Sequence, residues 1–498
     1  MQLRELRRGI SFGTLAVGML FVAFAVVALV MPAQNDTFWH LRAGQDIWRT
    51  HTIPRVDHYS HTFPGAAWPD HEWLSQALIY AVYRVGGMPA LELGAATLVM
   101  AAAVLTWRLM VGTLAARATL MTLGLALSSC VWVLRPHLLT QFLLALLVTL
   151  LARQRWRWIP PLFLFWANAH GGVALGGLVL AAVWAAAVLR WWRERGDGLA
   201  HADDRARVRA LTLVLALSGL ACAAAPLGFG IFHFVIESTA RSMQVKITEW
   251  FPVKPNDVFG VLFWAATAGF VALLIARGRR VFVRPSAAAR ADWADWAITA
   301  AAVALLPLAA RSLRNTAPFI LLATPAASRL LGADFTLPAA ITRLFARKPR
   351  PASPDKPRLN LAILAGMSVL AIVFAGRMYA SNLERLGWHP ISEGALAATR
   401  ACNGPLYNQY AEGGTLIWFV PEKPVFVDGR QDPYPLPFLL DVVEVEAGRQ
   451  PVRPLFDRFG ITCAFLPAKA DAVGQLAAAG WTTRFRDATY AVLEAPRR

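Results

Sequence analysis

A series of long apolar segments constrains this chain more than any other feature, because segments of this length belong in a membrane. A helix needs about 20 apolar residues to cross a hydrocarbon core roughly 30 Å thick. By that measure the sequence predicts eleven crossings, at residues 11–31, 89–111, 118–134, 137–152, 157–168, 171–189, 210–227, 257–276, 293–310, 315–332 and 359–376. The segment 157–168 is short, so the count carries a margin of about one or two crossings.

The composition agrees with a polytopic membrane protein. Of the 498 residues, 56% are hydrophobic and only 16% are charged, which is too apolar for a soluble chain of this length. A net charge of +18 would suggest nucleic acid as the partner of a soluble protein, but most Lys and Arg lie in short connections between apolar segments. The sequence contains no recognisable groove-reading or base-stacking module, so nucleic acid is not an expected partner.

The basic residues predict which side of the membrane each connection faces, because short cytoplasmic loops are enriched in Lys and Arg. The first apolar segment follows Arg4, Arg7 and Arg8 and has no convincing cleavage site, so it is expected to remain as an anchor. With eleven crossings, four Arg-rich segments share the side of the N-terminus: 153–157, 190–209, 277–284 and 343–358. We therefore predict a multi-pass plasma (inner) membrane protein with a cytoplasmic N-terminus and an extracytoplasmic C-terminal domain.

Two regions are predicted along the chain. Residues 1–376 form a transmembrane domain, whose first outer loop, 32–88, carries two short helices at about 38–50 and 71–85. Residues 377–498 form a soluble extracytoplasmic α/β domain, in which Cys402 and Cys463 are free to form a disulfide. Its predicted strands are 404–410, 424–428, 462–467 and 489–493, and its predicted helices are 436–446, 452–459 and 469–479.

The first outer loop concentrates titratable side chains. It holds five of the ten histidines, and its candidates for a functional role are Asp36, His40, His58, Asp70, His71 and Glu72. Asp36 and His40 are four residues apart, hence on one helical face, and could together bind a metal ion, a phosphate or a substrate hydroxyl. The alternative is structural: Asp36 and Asp70 cap the two short helices, and the histidines are solvated.

Further candidates lie at the outer ends of predicted spans, where the positive-inside distribution does not place cations. They are Arg135, His137, Asn168, His170, Arg311, Arg314 and Asn315. A guanidinium group can bind two phosphate oxygens at once, which favours the arginines as a phosphate site. In the alternative interpretation Arg311 and Arg314 extend towards the membrane interface, and His137 and His170 cap helix ends.

Two later outer segments also allow either a functional or a structural interpretation. The segment 228–256 is long enough to form a flexible cover over a site, or it is an ordinary connection. The residues 428–432 directly follow a predicted strand, a common place for ligand sites in α/β domains, or they form a salt-bridged turn.

The arrangement of the first spans resembles the GT-C class of polytopic glycosyltransferases, which includes protein O-mannosyltransferases, aminoarabinose transferases and oligosaccharyltransferases. The shared features are a first span, an acidic residue at the start of the first outer loop, and an amphipathic helix that ends in Gly before the second span. The resemblance implies a polyprenyl-linked sugar donor and a reaction on the non-cytoplasmic side. It also implies that Asp36 is the catalytic or metal-binding acid, and that Asp70, His71 and Glu72 mark the second outer element.

The sequence therefore predicts a membrane glycosyltransferase that transfers a sugar from a polyprenyl-phosphate donor to an acceptor at the outer face. Asp36 and Glu72 are the predicted catalytic residues, and the remaining candidates named above are predicted to bind substrate. A divalent cation is a candidate cofactor, with Asp36, His40 and His71 as candidate ligands. The alternatives are a polytopic transporter or lipid-handling protein, and a non-catalytic assembly subunit.

Overall fold

The computed structural model describes residues 9–193, 198–282, 292–332, 355–381 and 385–496. Arg4, Arg7, Arg8 and most of the segment 343–358, which the predicted orientation uses, lie outside these residues. The helices up to residue 381 are α1 (Phe12–Ala28), α2 (Asn35–Thr50), α3 (Trp73–Leu109), α4 (Leu114–Ser128), α5 (His137–Ala152), α6 (Ile159–Ala169), α7 (Val173–Arg193), α8 (Gly198–Ala223), α9 (Gly230–Gln244), α10 (Val258–Phe282), α11 (Trp293–Arg311), α12 (Thr316–Leu331) and α13 (Pro357–Ser381).

The helices account for the apolar segments of the sequence, because a helix satisfies its own backbone hydrogen bonds in a membrane. Each predicted span overlaps one helix. Within the described residues, seven helices are long and apolar enough to cross a membrane, and α1 and α5 are shorter apolar helices. The chain is thus a multi-pass membrane protein, and the number of crossings stays a prediction.

Helices α3 to α12 each contribute to one large apolar cluster, in which Trp166, Phe263 and Phe319 are fully buried. Close packing of α6 and α7 depends on Gly176, because a Cβ atom there would lie 2.6 Å from the Trp166 ring. Small residues commonly permit such an approach between membrane helices.

The two helices of the first outer loop begin at different residues from those predicted. Helix α2 begins at Asn35 with Gln34 as its N-cap, so Asp36 lies in the first helical turn. Helix α3 begins at Trp73 with Glu72 as its N-cap, and Asp70 instead accepts a hydrogen bond from the Gln76 side chain at 2.7 Å. The capping roles considered for Asp36 and Asp70 are therefore wrong. The predicted end of the second short helix is a kink in α3 at Gly86 and Gly87.

The C-terminal region carries a four-stranded sheet. Its strands are β1 (Leu406–Asn408), β2 (Cys463–Pro467), β3 (Thr482–Arg486) and β4 (Tyr490–Glu494), in the order β1-β2-β4-β3, with β1 and β2 parallel and the other pairs antiparallel. The helices are α14 (Glu393–Ala401), α15 (Gly413–Phe419), α16 (Leu436–Glu446), α17 (Arg453–Phe459) and α18 (Asp471–Ala478). A disulfide joins Cys402 to Cys463 at the start of β2.

The predicted strand at 424–428 does not join this sheet. The Val425 backbone N–H donates to Tyr59 at 2.9 Å, and the Val425 carbonyl accepts from His61 at 3.0 Å, so its hydrogen bonds go to the first outer loop. Strand β3 was not expected, because its residues are mostly exposed and give little hydrophobic signal. The extended segment is thus used to attach the C-terminal region to the loop.

The first outer loop and the C-terminal region share a hydrophobic core. Trp39, Tyr59 and Trp68 from the loop belong to the same apolar cluster as Leu416 and Phe465. The C-terminal region is therefore packed against the loop that carries the predicted acidic residues.

A buried ion-pair group adds to this contact. Arg430 Nη2 lies 2.6 Å from Asp428 and 2.7 Å from Asp57 of the first outer loop, and the three side chains are fully buried. Replacing Arg430 by Met should destabilise the protein by about 3–5 kcal/mol, because two buried carboxylates lose their cation. The thermal unfolding of detergent-solubilised protein measures this effect. Arg458→Met, at an exposed position, is the matched control, and equal melting temperatures for the two variants would contradict the prediction.

Candidate active site

A cavity of about 830 Å³ lies where the first outer loop, the ends of the membrane helices next to it and the C-terminal region meet. It collects side chains from distant parts of the sequence. Eleven of the thirteen predicted site residues line it: Asp36, His40, Asp70, His71, Glu72, Arg135, His137, His170, Arg311, Arg314 and Asn315. Asp36, Glu72 and Arg314, from three separate parts of the chain, therefore line one cavity.

The other two predicted site residues do not line this cavity. His58 is half exposed and lies 3.8 Å from Asp46. Asn168 accepts a hydrogen bond from Trp73 Nε1 at 3.1 Å and donates to the Leu164 carbonyl at 2.8 Å. His58 thus contacts another residue of the first outer loop, and Asn168 contacts Trp73 and the backbone of α6. Neither side chain lies in the cavity wall.

Four side chains of alternating charge run along the cavity. Asp36 Oδ2 lies 2.8 Å from Arg135 Nη2, and Arg135 Nη1 lies 3.4 Å from Glu249 Oε2. Glu249 Oε1 then lies 3.0 Å from Arg314 Nη1, and the Arg314 guanidinium stands 4.9 Å from the centre of the Trp250 ring. Glu249 thus lies between Arg135 and Arg314, two of the three arginines that were expected to bind phosphate.

The arrangement keeps Arg135 and Glu249 charged. Burial opposes the charge of Arg135, but the carboxylates of Asp36 and Glu249 outweigh it and raise the pKa of Arg135 above its ordinary value. Burial likewise opposes ionisation of Glu249, while Arg314 and Arg135 lower the pKa of its carboxyl. The cavity therefore holds two fixed cations beside two carboxylates.

Glu72 forms a second polar group with three histidines. Its carboxylate oxygens lie 3.1 Å from His170 Nε2, 3.6 Å from His40 Nε2 and 3.8 Å from His71 Nε2. The Gly172 backbone N–H donates to His170 Nδ1 at 2.8 Å, so Nδ1 is an acceptor and the imidazole proton lies on Nε2, facing Glu72. A hydrogen bond from His170 Nε2 to the Glu72 carboxylate thus connects the turn that contains His170 to the N-terminal end of α3.

Burial favours the uncharged forms of this second group. It raises the pKa of Glu72 to about 7 and lowers the pKa of His71 to about 4. The pKa values of His40 and His170 are also held well below the ordinary value, chiefly by burial. A carboxyl with a pKa near neutrality is suited to accept and release a proton.

The segment 228–256 is largely helical, and its role as a flexible cover stays a prediction. It contains α9, which lines the cavity with Val235, Ile236 and Thr239. Arg241 of α9 donates to the Tyr434 carbonyl at 2.9 Å, which attaches the helix to the C-terminal region. Glu249, which follows α9, was missed as a site residue because its importance depends on Arg135 and Arg314, both more than sixty residues away.

The turn at 428–432 combines both interpretations considered for it. Asp428 and Arg430 form its buried ion pair, and Gly429, Arg430, Gln431 and Asp432 line the cavity. Gly429 packs directly on the Asp36 carboxylate, where a Cβ atom would overlap Oδ1. Tyr410 donates its hydroxyl hydrogen to the Gly429 carbonyl at 3.1 Å and holds this approach.

The candidate metal ligands are already engaged with other side chains. Asp36 is paired with Arg135, and His40 and His71 face Glu72. Within the described ranges, no group of three or more His, Cys, Asp or Glu side chains has the spacing of a metal site. The three candidate ligands thus face other side chains of the protein, and the divalent cation stays a prediction.

The chain resembles polytopic glycosyltransferases of known structure. The archaeal oligosaccharyltransferase AglB from Archaeoglobus fulgidus, solved with an inhibitory peptide and a dolichol-phosphate, superposes with a TM-score of 0.56 at 11% identity over 91% of this chain and 69% of that chain. The apo form of the Archaeoglobus fulgidus oligosaccharyltransferase gives 0.52 at 12% identity over the same shares. ArnT from Cupriavidus metallidurans bound to undecaprenyl phosphate gives 0.49 at 14% identity, over 97% of this chain and 98% of that chain.

No family model and no curated protein sequence matches the chain. At these identities the superpositions on the oligosaccharyltransferase show the fold, which is that of the GT-C polytopic membrane glycosyltransferases. The class predicted from the first outer loop is thereby confirmed at the level of the fold.

Proposed function

We propose that this protein is a GT-C-type glycosyltransferase that transfers a sugar from a polyprenyl-phosphate donor to an acceptor at the outer face of the inner membrane. The observation that carries the proposal is the row of Asp36, Arg135, Glu249 and Arg314 in one cavity. Such a row provides a proton acceptor beside two phosphate-binding cations. In this orientation the N-terminus is cytoplasmic and the C-terminal region is extracytoplasmic.

The remaining wall of the cavity suits a lipid-linked donor. Leu175 and Leu178 of α7 face it together with Val235 and Ile236 of α9, and Leu178 and Ile236 are also exposed on the protein surface. An amphipathic ligand with a phosphate on a long hydrocarbon chain matches a cavity that has both cations and an apolar wall. The dolichol-phosphate bound to the archaeal oligosaccharyltransferase, which has the same fold, supports this class of ligand.

The proposed reaction uses the charged row as follows. The acceptor oxygen attacks the anomeric carbon, the bond from that carbon to the phosphate oxygen breaks, and polyprenyl phosphate leaves with the bonding electrons. Asp36 takes the proton from the acceptor hydroxyl, a role that typically contributes about 10²–10⁴-fold to a rate. Arg135 and Arg314 stabilise the charge that develops on the departing phosphate. In this proposal Glu72, whose pKa is about 7 and whose side chain lines the same cavity, receives the proton next.

The donor class is tested by binding of undecaprenyl phosphate to the purified protein in lipid nanodiscs. Saturable binding that competes with longer and shorter polyprenyl phosphates is the expected result. An absence of binding would contradict the proposed function.

The divalent cation remains a prediction, and turnover before and after treatment with EDTA, with Mg²⁺ or Mn²⁺ added back, would test it.

Glu249 is expected to compete with the donor phosphate, because its carboxylate already bridges the two arginines. Replacing Glu249 by Gln should strengthen undecaprenyl phosphate binding by about threefold to tenfold, since the guanidinium groups lose a neutralising partner. Binding to nanodiscs measures the change, with the exposed Glu237→Gln on α9 as the matched control. Weaker binding by Glu249→Gln would instead mean that this carboxylate organises the arginines for the phosphate.

A further inference from the structure

The C-terminal region approaches the start of α2 at two glycines. Gly429 lies against the carboxylate of Asp36, where a Cβ atom would stand 2.3 Å from Oδ1. Gly414 of α15 lies against the preceding residue, where a Cβ atom would stand 2.4 Å from the carbonyl oxygen of Asn35. Neither glycine has a backbone φ in the left-handed region. The close approach to α2, and not the backbone conformation, therefore requires the absence of a side chain at both positions.

Hydrogen bonds hold both glycines at this approach. The Thr415 backbone N–H donates to Asn35 Oδ1 at 3.0 Å, which attaches the first turn of α2 to α15. The Tyr410 hydroxyl donates to the Gly429 carbonyl at 3.1 Å, which holds the turn at 428–432. The contact between the C-terminal region and the start of α2 is thus fixed from both sides.

The two oxygens of the Asp36 carboxylate have different surroundings. Trp39 Nε1 donates to Oδ1 at 3.1 Å, and Gly429 packs on the same oxygen. Oδ2 lies 2.8 Å from Arg135 Nη2. A carboxylate oxygen has two lone pairs, so Oδ2 retains one beside its contact with Arg135. The contact with Gly429 therefore helps to decide how the carboxylate is turned towards the phosphate-binding cations.

We propose that Gly429 is a positioning residue for the proton acceptor: it sets the orientation of the Asp36 carboxylate, so that the C-terminal region completes the active site. This inference rests on the proposed function and gives the C-terminal region a part in it. A reacting group displaced by about 1 Å can lose about 10²-fold in rate, because the acceptor then meets it in the wrong geometry. The rate of transfer thus depends on how closely the turn at 428–432 approaches α2.

The inference is tested by replacing Gly429 with Ala. Ordinary contact begins at 3.4 Å, so the new methyl group displaces the Asp36 carboxylate or the turn by about 1 Å. The kcat for release of undecaprenyl phosphate should fall by about 10- to 100-fold. It is measured in proteoliposomes with the undecaprenyl-phosphate hexose or pentose that the wild type turns over fastest. Binding of bare undecaprenyl phosphate to protein in nanodiscs should not weaken, because Arg135 and Arg314 remain.

The matched control is Gly474→Ala in α18 of the same region. A Cβ atom there meets no other atom within 4 Å, and the backbone φ is not left-handed. This variant should keep the wild-type kcat. A fall in kcat that is confined to Gly429→Ala thus reports the contact with Asp36 and not the loss of a glycine from the C-terminal region.

A cycle of single and double variants with Asp36→Asn separates positioning of the base from a general structural role. If Gly429 acts through the carboxylate, adding Gly429→Ala to Asp36→Asn should lower the remaining rate by less than about twofold. A loss as large as that in the wild-type background would overturn the inference, and so would wild-type turnover by Gly429→Ala. Tyr410→Phe removes only the hydroxyl that holds Gly429, and it replaces Gly429→Ala in this cycle if that variant does not fold.

The same measurements distinguish this inference from the proposed function. If the wild type neither binds the bare carrier nor releases it from any of the donors, the proposed function is wrong and the positioning role falls with it. If the wild type transfers sugar and Asp36→Asn does not, but Gly429→Ala transfers at the wild-type rate, only the positioning role is wrong.

Discussion

Replacing Asp36 by Asn is expected to lower sugar transfer by about 10²–10⁴-fold, because an amide cannot take the acceptor proton that a carboxylate accepts. The substitution keeps the size of the side chain and leaves an oxygen that can accept from Trp39 Nε1, now 3.1 Å from Asp36 Oδ1. The position of α2 should therefore be retained. Release of undecaprenyl phosphate from a sugar-linked donor in proteoliposomes measures the rate.

Three further measurements separate a catalytic role of Asp36 from a structural one. Binding of bare undecaprenyl phosphate should persist in Asp36→Asn, since the two arginines remain. The melting temperature should stay close to that of the wild type. Asp441→Asn, at a half-exposed position of α16, should transfer sugar at the wild-type rate. Full activity of Asp36→Asn would remove the assignment of Asp36 as the base.

The second large effect is expected on donor affinity when Arg314 is replaced by Gln. Loss of a cation that binds phosphate should weaken undecaprenyl phosphate binding by about 10- to 100-fold, or roughly 1.4–2.7 kcal/mol. The estimate is at the lower end of values for fully buried pairs because the Arg314 side chain is 28% exposed. Equilibrium binding to nanodiscs, at two ionic strengths, measures the loss and its electrostatic origin.

Arg314→Lys distinguishes charge from geometry. Lysine retains the positive charge but cannot reach two phosphate oxygens with one planar group, so it should bind with intermediate affinity. The exposed Arg458→Gln is the matched control and should bind as the wild type does. If Arg314→Gln binds undecaprenyl phosphate normally, the arginine serves only to stack on Trp250 and pair with Glu249.

Asp36 shows how far the sequence can lead towards a site. Its place after the first span suggested an acid with a role in chemistry, but the sequence left open that it caps a helix. The structure excludes capping, because Gln34 is the N-cap and Asp36 pairs with Arg135, ninety-nine positions later in the chain. Local propensity describes the start of a helix and contains no information about such a distant partner.

His58 and Glu249 show two opposite errors of the prediction from sequence: one residue was selected and does not line the cavity, and the other was missed. His58 was selected because its loop is rich in histidine, yet its partner is Asp46 and it does not line the cavity. Glu249 was considered only as part of a connecting loop, yet it bridges Arg135 and Arg314. Composition records how many polar residues a segment has, whereas their function depends on which side chains from other segments approach them.

The segment at 424–428 illustrates the same limit for the fold. Its apolar residues predicted a strand, and the segment is extended as expected. Its backbone hydrogen bonds, however, go to Tyr59 and His61 of the first outer loop. Hydrophobic pattern indicates that a segment is buried and extended, and does not identify its neighbour. The attachment of the C-terminal region to the first loop was for this reason not foreseen.

The sequence by itself determined that the chain belongs in a membrane and which polar residues were candidates, because crossing a hydrocarbon layer requires long apolar segments that leave a direct record in the order of residues. Only the tertiary structure decided which candidates meet. The rows Asp36–Arg135–Glu249–Arg314 and His40–Glu72–His170 each join residues from separate helices and loops. Their association follows from helix packing and from the docking of the C-terminal region, which act between segments that are far apart in the chain.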